Sequence, residues 1–470
     1  MQRANQIQST FSTPGLCVRR DFTAGGKSGC LLFVAGLSDA VTVGNILMAL
    51  EQYPEKITDA DGLMKRVIHA SYAETETDLT LVIQRILEGD CALILDGVPE
   101  VVLTNTRKWE KRAISEPQTE TVVRGPREGF TEDMGTNLSL LMRKLRTPAL
   151  SVEHLKIGRN SNTNVAVVYL SNVVYPAIVQ EIKRRLQAID IDAIYDSYNL
   201  EPYLEYHPLS IFKQVGYTER PDIASSKISE GKVAVIVDGS PIVLTLPFLL
   251  IEDFRSPEDY YQRFSYTTFL RFLRLFALLA AIILPGLYVT LLQFNYDIVP
   301  LGLLVTIMNA IKGTPFPPLV EMLLVIFLFE TIRESSVRMP RLVSMAMSIV
   351  GAIALGETVV RAGIISSPTI LIIALSSIAM FTVPNHIGSM TLLRVLFTLA
   401  GGFLGLYGLL LAAVFTIHYL SALDSYGAPY LAPLAPIVPE DYNDSFVKRP
   451  IFEAKTRPKS IKNINPTRQS

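Results

Sequence analysis

Residues 315–334 read Pro315-Phe-Pro-Pro-Leu-Val-Glu-Met-Leu-Leu-Val-Ile-Phe-Leu-Phe-Glu-Thr-Ile-Arg-Glu. The middle of this stretch is as apolar as a membrane span. Pro317 and Pro318 mark its first turn, where the missing N–H does no harm. Glu321 stands near its start, and Glu330, Arg333 and Glu334 stand at its end. A carboxylate in an apolar membrane helix is costly and faces protein or water rather than lipid. The stretch therefore predicts a helix that lines something or touches a partner.

The rest of the chain divides around it. Residues 1–265 have the composition of a soluble protein, and residues 275–423 that of a membrane protein. The fold class predicted is an α/β soluble region of two similar lobes followed by an all-α polytopic transmembrane domain. The boundaries drawn are an N-terminal tail (1–20), lobe 1 (21–106), a linker (107–137), lobe 2 (138–255), the transmembrane helical domain (256–423) and a cytoplasmic C-terminal tail (424–470). The chain carries 43 Lys+Arg against 44 Asp+Glu, a net charge of −1 that gives no reason to expect nucleic acid. The polar N-terminus lacks the apolar core of a secretory signal, so the soluble half is expected in the cytoplasm. Cys17, Cys30 and Cys91 form neither a metal-like pair nor an even-numbered disulfide framework, and read as free buried thiols.

In the soluble half, Leu31-Leu-Phe-Val-Ala-Gly reads as a buried strand, residues 40–52 as a helix capped by Asp39, and residues 78–87 as another helix. Residues 91–104 read as a hairpin turning at Asp96-Gly97. The pattern returns: Ala234-Val-Ile-Val-Asp-Gly-Ser-Pro-Ile-Val-Leu-Thr resembles Ala92-Leu-Ile-Leu-Asp-Gly-Val-Pro-Glu-Val-Val-Leu-Thr. Residues 165–172 resemble the first strand, and an amphipathic helix over 176–188 follows. Two α/β units of one plan are inferred, with mixed sheets and a terminal hairpin. Between them, the charged run around Trp109 reads as a solvated patch, with Trp109 a candidate contact anchor. Gly25-Gly-Lys-Ser is not a phosphate-binding loop, because Asp21 stands where its first glycine belongs and a strand follows instead of a helix. GxSxG, HExxH and Cys/His clusters are missing from the soluble half.

In the membrane half, residues 275–294 are uncharged and long enough to cross a core of about 30 Å. Residues 298–311 are too short for a clean span. The Glu-bearing helix follows, then runs at 342–356, 362–393 and 395–423. Gly401 and Gly405 have the spacing that lets helices approach closely, within the chain first and between chains second. Arg263, Arg271 and Arg274, then Arg333, Arg338 and Arg341, then the Lys/Arg-rich tail all favour the cytoplasm. A count of about five spans puts the tail outside, so one segment is miscounted, with 298–311 and 342–356 the suspects.

Phe316-Pro-Pro-Leu-Val-Glu with Phe329-Glu-Thr-Ile-Arg-Glu-Ser-Ser-Val-Arg-Met-Pro-Arg resembles the signature of GerA-type spore germination proteins, the A subunits of germinant receptors. Ser348-Ile-Val-Gly-Ala-Ile-Ala-Leu-Gly-Glu, Ala362-Gly-Ile-Ile-Ser, Thr382-Val-Pro-Asn, Ser425-Tyr-Gly-Ala-Pro-Tyr-Leu-Ala-Pro-Leu-Ala-Pro and Gly125-Pro-Arg-Glu-Gly-Phe match further family blocks. The resemblance implies an inner-membrane protein of the endospore that acts with a transporter-like B subunit and a lipoprotein C subunit. It implies sensing of small nutrients, ion release, and a homo-oligomeric ring, with a pentamer as one ring size. No cofactor is expected, and no enzyme activity either, since His386 and His418 in the membrane half have no matching nucleophile motif. The germinant and the exact paralogue stay open.

On this reading the chain is a homo-oligomeric ligand-gated cation channel with a hydrophobic gate. A non-conducting scaffold and a secondary transporter component are the alternatives. The stripe Thr369, Ile373, Ser376 and Ala379, or its neighbouring face, is suited to line a pore, against packing and back-bonding by the serines. Glu321 forms a cation-attracting ring, or pairs with Lys312 or an arginine. Glu330, Arg333 and Glu334 form a charge network, with coupling between ring and membrane as the sharper role. Asn385 and His386 cap a helix end.

Overall fold

The computed structural model describes residues 1–53, 73–107, 124–340 and 354–469 apart from 449 and 454, together with positions 60, 64, 117, 120, 122, 343 and 351. Trp109 and most of 342–356 lie outside the described residues.

The soluble half contains one arrangement twice. The first unit runs α1 (Gln2–Thr10), β1 (Cys17–Ala24), β2 (Lys27–Val34), α2 (Ala40–Gln52), β3 (Ala73–Glu76), α3 (Leu79–Leu87), β4 (Cys91–Leu95) and β5 (Val101–Thr104). The second runs α4 (Met134–Lys144), β6 (Leu150–Ile157), β7 (Thr163–Leu170), α5 (Pro176–Gln187), β8 (Gly216–Thr218), α6 (Pro221–Ser229), β9 (Val233–Val237) and β10 (Val243–Leu246). Their strand orders are β1-β2-β4-β5-β3 and β6-β7-β9-β10-β8, the same permutation. The repeat extends to the hairpin aspartates. The amino group of Met1 lies 3.5 Å from Asp96, and the Met134 N–H donates to Asp238 at 3.3 Å, so each holds the start of its leading helix.

The sheets are not mixed. Every pairing in both is antiparallel. A strand–helix–strand pattern suggests a parallel crossover. Here the helix instead carries the chain to the far edge, where β3 and β8 run antiparallel to β5 and β10. The first residues are not a loose tail either. Ala4 and Ile7 of α1 are fully buried, and the Ser12 N–H donates to Pro148 O at 3.0 Å, which ties the start of the chain to the second unit. Gly25 and Gly26 turn the β1–β2 hairpin at positive φ, so no helix opens where a phosphate loop needs one. Cys17, Cys30 and Cys91 are buried free thiols, and burial pushes the Cys17 thiol up to about 12.

The helical half comprises α7 (Phe264–Gln293), α8 (Leu301–Ile311), α9 (Pro318–Arg338), α10 (Ser367–Met380) and α11 (Ile387–Ala422). Among the described residues, α7 and the helix from Pro384 to Ala422 are long and apolar enough to cross a membrane.

The second of these does not run straight. Gly405 inside it has φ +62° and ψ −146°, a conformation that favours glycine. Near one end of α11, the Ser389 hydroxyl donates to Ile211 O of the second lobe. Just past the other end, the Ser425 hydroxyl donates to Gln214 O, three residues from Ile211. The Phe212 ring lies 6.3 Å from both His386 and Tyr419. A straight helix of 36 residues would hold its ends about 54 Å apart. So α11 is a helical hairpin with its tip at Gly405, beside Phe294 at the end of α7. The arms pack on α7 where glycines permit. A Cβ on Gly401 would stand 2.8 Å from Gly286 O. The glycine spacing thus serves packing within the chain.

The C-terminal residues return to the second lobe. Asn463 bridges to Val174, and Arg457 Nε donates to Ser229 O at 2.7 Å. Arg271 and Arg274, expected as cytoplasmic charges before the first span, are paired with buried Asp259 at 3.2 and 2.8 Å.

Candidate functional site

A carboxylate from another part of the chain holds the start of α10, and a second one holds the turn that joins α10 to α11. At its start, Ser366 occupies the N-cap position and its N–H is one of the donors a helix leaves unsatisfied. Glu321, from the first turn of α9, fills that need. Its Oε1 accepts from the Ser366 N–H at 2.6 Å and from the Ser366 hydroxyl at 2.7 Å. The positive end of the α10 dipole favours a negative group there. Ser366 Oγ lies 2.9 Å from Thr369 Oγ1, which donates to Tyr288 of α7 at 3.4 Å. Glu321, Ser366 and Thr369 are fully or nearly fully buried. Of the pairings expected for Glu321, neither Lys312 nor an arginine is its partner among the described residues; it bonds to a helix N-terminus instead.

At the other end, the turn Pro384–His386 joins α10 to α11. A short 3-10 helix, Leu250–Phe254, follows the last strand of the second lobe and presents two adjacent carboxylates in different directions. Glu252 faces back into the lobe, where it pairs with Lys232 and, at 3.3 Å, with Lys227. Asp253 faces the turn. It lies 2.8 Å from His386 Nε2, and accepts from Asn385 Nδ2 at 2.9 Å. Lys213 Nζ sits 2.9 Å from the same carboxylate, and the Tyr217 hydroxyl donates to Asn385 Oδ1 at 3.0 Å. Burial raises the Asp253 carboxyl, but Lys213, with His386 and Asn385, outweighs it and holds the group well below the usual carboxylate range. The result is a chain of ion pairs from the lobe sheet through one helical turn to the Pro384–His386 turn between α10 and α11.

A buried polar pair braces the same region. Arg394, in the first arm of α11, donates to Glu330 of α9 at 2.6 Å and to Ser377 of α10 at 3.2 Å. Arg333 pairs with Glu330 on the other side and donates to Thr391 at 3.2 Å.

A model of the family described as Bacillus/Clostridium GerA spore germination protein matches residues 5–460. The chain belongs to the GerA family. It is 34% identical to spore germination protein GerLA of Bacillus cereus, over 98% of this chain and 95% of that protein. It is 34% identical to spore germination protein KA of Bacillus subtilis, over 93% and 82%. It is 32% identical to the uncharacterized membrane protein YfkQ of Bacillus subtilis, over 94% and 87%. The crystal structure of the N-terminal domain of the A subunit of the Bacillus megaterium spore germinant receptor GerK3 aligns at 22% identity and a TM-score of 0.39. It covers 53% of this chain and 94% of that one.

Of the residues singled out from sequence, Glu330 and Arg333 come together, while Glu334 pairs separately with Arg338 at 2.6 Å on the exposed side of α9. Thr369, Ile373 and Ser376 form one stripe, but it faces inward. Ser376 Oγ donates to Ala281 O of α7 at 2.7 Å, and Ile373 is buried in an apolar cluster with Val289, Met322 and Val325. The neighbouring face of α10, with Leu371, Leu375 and Ile378, is the exposed one. Sequence reading missed Arg394, Asp253 and Lys213. Arg394 was legible as a lone cation between two long apolar runs, and was passed over as the boundary between them. Asp253 and Lys213 carry no such signal, since their partners are distant in sequence.

Proposed function

We propose that this chain is the membrane-embedded A subunit of a spore germinant receptor, in which α10 is the moving part of a homo-oligomeric, ligand-gated cation channel. The observation that carries this reading is the hold on both flanks of α10, by Glu321 at its start and by Asp253 of the second lobe on the Pro384–His386 turn that follows it. A shift of the lobe relative to the helices has to strain one of those contacts, and a two-state element biased from a distance is what allosteric gating requires. The outward face of α10 is apolar, with Leu371, Leu375 and Ile378 exposed in the protomer. Such a face suits a gate that closes by excluding water. Glu321 then serves to fix the helix rather than to attract ions.

The membrane reading rests on the apolar outer faces of α7, α8, α10 and α11, which are larger than a soluble monomer tolerates. The hairpin turns the single run 395–423 into two passes, which raises the sequence count of about five spans to about six. An even number puts the lobes and the tail on one side, in agreement with the Lys/Arg bias. The lobes and tail are then cytoplasmic, with a transporter-like B subunit and a lipoprotein C subunit as partners in the spore inner membrane.

Planar-bilayer recording tests the channel. Discrete cation-selective currents are expected from the reconstituted oligomer, together with a native mass well above one chain. A stable monomer that stays silent with its partner subunits present would overturn the proposal. A non-conducting scaffold is the second reading, favoured by the burial of Thr369 and Ser376 inside a single protomer.

A further inference from the structure

A cavity of about 230 Å³ lies where the second lobe, α7, both arms of the α11 hairpin and the C-terminal tail converge. Its wall is built from side chains such as Phe212, Leu278, Ile282, Phe397, Ala413 and Leu431. Only Thr416 and His386 bring polar side chains to it. The Thr416 hydroxyl donates to Ala412 O at 2.7 Å and His386 Nε2 sits beside Asp253, which leaves His386 Nδ1 as the one unpartnered polar atom of these two side chains. Water inside would lack the two to four hydrogen bonds it needs. Apolar cavities of about 150 Å³ stay dry and bind benzene, and this one is larger. Its rim includes Leu279, Ile417 and Leu434, which are 43%, 58% and 45% exposed. The mouth is therefore continuous with the apolar outer faces of α7 and the second arm of α11.

We propose that this cavity takes one hydrocarbon chain of a membrane phospholipid, entering from the bilayer between α7 and the second arm of α11. The occupant follows from three features: a carbon-lined interior, too few polar atoms to hold a water, and a mouth opening on the face that the membrane reading covers with lipid. Phe212 joins the site to the coupling turn, because its ring packs against both His386 and Tyr419. A chain in the cavity wedges lobe, turn and hairpin together, so lipid occupancy regulates the grip on α10. The inference rests on the membrane reading of these helices.

Full-length protein in nanodiscs containing a phospholipid with a diazirine near the end of one acyl chain tests it by photolabelling and peptide mapping. Adducts are expected on the inward-facing residues Leu393, Phe397 and Leu431, besides those on outer-face residues such as Phe276 and Phe403. Filling the cavity by Ala413→Leu, or by Leu393→Phe, is expected to lower labelling at Phe397 and Leu431 at least tenfold while outer-face labelling persists. Adducts confined to the outer face of the wild type would overturn the cavity site and leave the membrane reading intact. Protein that stays soluble without detergent and takes no label at either place would overturn both.

Discussion

Arg394 of the α11 hairpin donates to Glu330 of α9 at 2.6 Å, with its guanidinium fully buried among three helices. Removing one partner of a buried pair leaves a charge without compensation, which costs about 3–5 kcal/mol. Glu330 keeps Arg333 on its other side and is partly exposed, so the cost falls toward the low end of that range. Arg394→Met is expected to destabilise the detergent-solubilised protein by about 3 kcal/mol. Adding Glu330→Gln is expected to restore part of the loss, with a coupling of about 1–2 kcal/mol. Thermal melting of the four proteins of the cycle measures it. Additive effects would show that the pair does not act as a unit.

Glu321 separates two roles that one substitution distinguishes. Glu321→Gln keeps an oxygen for the Ser366 N–H and hydroxyl, and is expected to cost about 1 kcal/mol. Glu321→Leu strands two buried donors and is expected to cost about 2–3 kcal/mol. If capping is its work, Glu321→Gln leaves the reversal potential under a cation gradient unchanged. A shifted reversal potential in that variant would return Glu321 to the conducting path.

The repeated lobes were legible because a repeat announces itself twice: two Asp-Gly hairpins, each following the same alternation of strand and helix. Strand order was not legible, since β3 and β8 reach their edges through partners far away in sequence. In the helical half, apolar runs located the helices, and the charges of α9 located its Glu330–Arg333 pair. Two things escaped. Length gave one pass for 395–423, because a glycine within an apolar run looks like packing until its φ is known. And Asp253 carries no signal in the sequence, although it ties the lobe to the turn between α10 and α11.

Two carboxyls that share Lys213 titrate in opposite senses. Burial, and Glu205 nearby, push the Glu201 carboxyl up to about 7, against the pull of Lys213. Its ordinary value is about 4.3. With the folded value the higher one, ionisation opposes folding: the stability it contributes is complete at low pH and is lost as pH rises from about 4 to about 7. Asp253 is held below its ordinary value of about 3.9, so its contribution is present above that pH and is lost only as pH falls below it. Melting temperatures between about pH 4.5 and about pH 8, a window above both ordinary carboxyl values that spans the raised Glu201 transition, check this. Glu201→Gln is expected to flatten the decline over that window. Asp253→Asn is expected to lower the whole curve without changing its slope. A slope that persists in Glu201→Gln would assign it to another group.

The hairpin makes a topological prediction that a single long span cannot meet. Both ends of α11 touch the second lobe, whereas Gly405 at the tip abuts Phe294 at the far end of α7. Single cysteines at Gly388 and Ser421 are therefore expected to react with an impermeant thiol reagent from the lobe side, and a cysteine at Tyr407 from the opposite side. The native thiols are buried and serve as an internal background. If α11 crossed once, positions 388 and 421 would react from opposite sides. Gly405→Ala supplies an independent check. It places a Cβ about 3.2 Å from Phe294 at a positive φ, so it has to strain the tip or open it. The expected outcome is a loss of about 1–3 kcal/mol in stability, the range for a residue forced into such a conformation. A tip that accepts alanine at no cost would mean that the bend is set elsewhere, and the six-pass arrangement would lose its geometric basis.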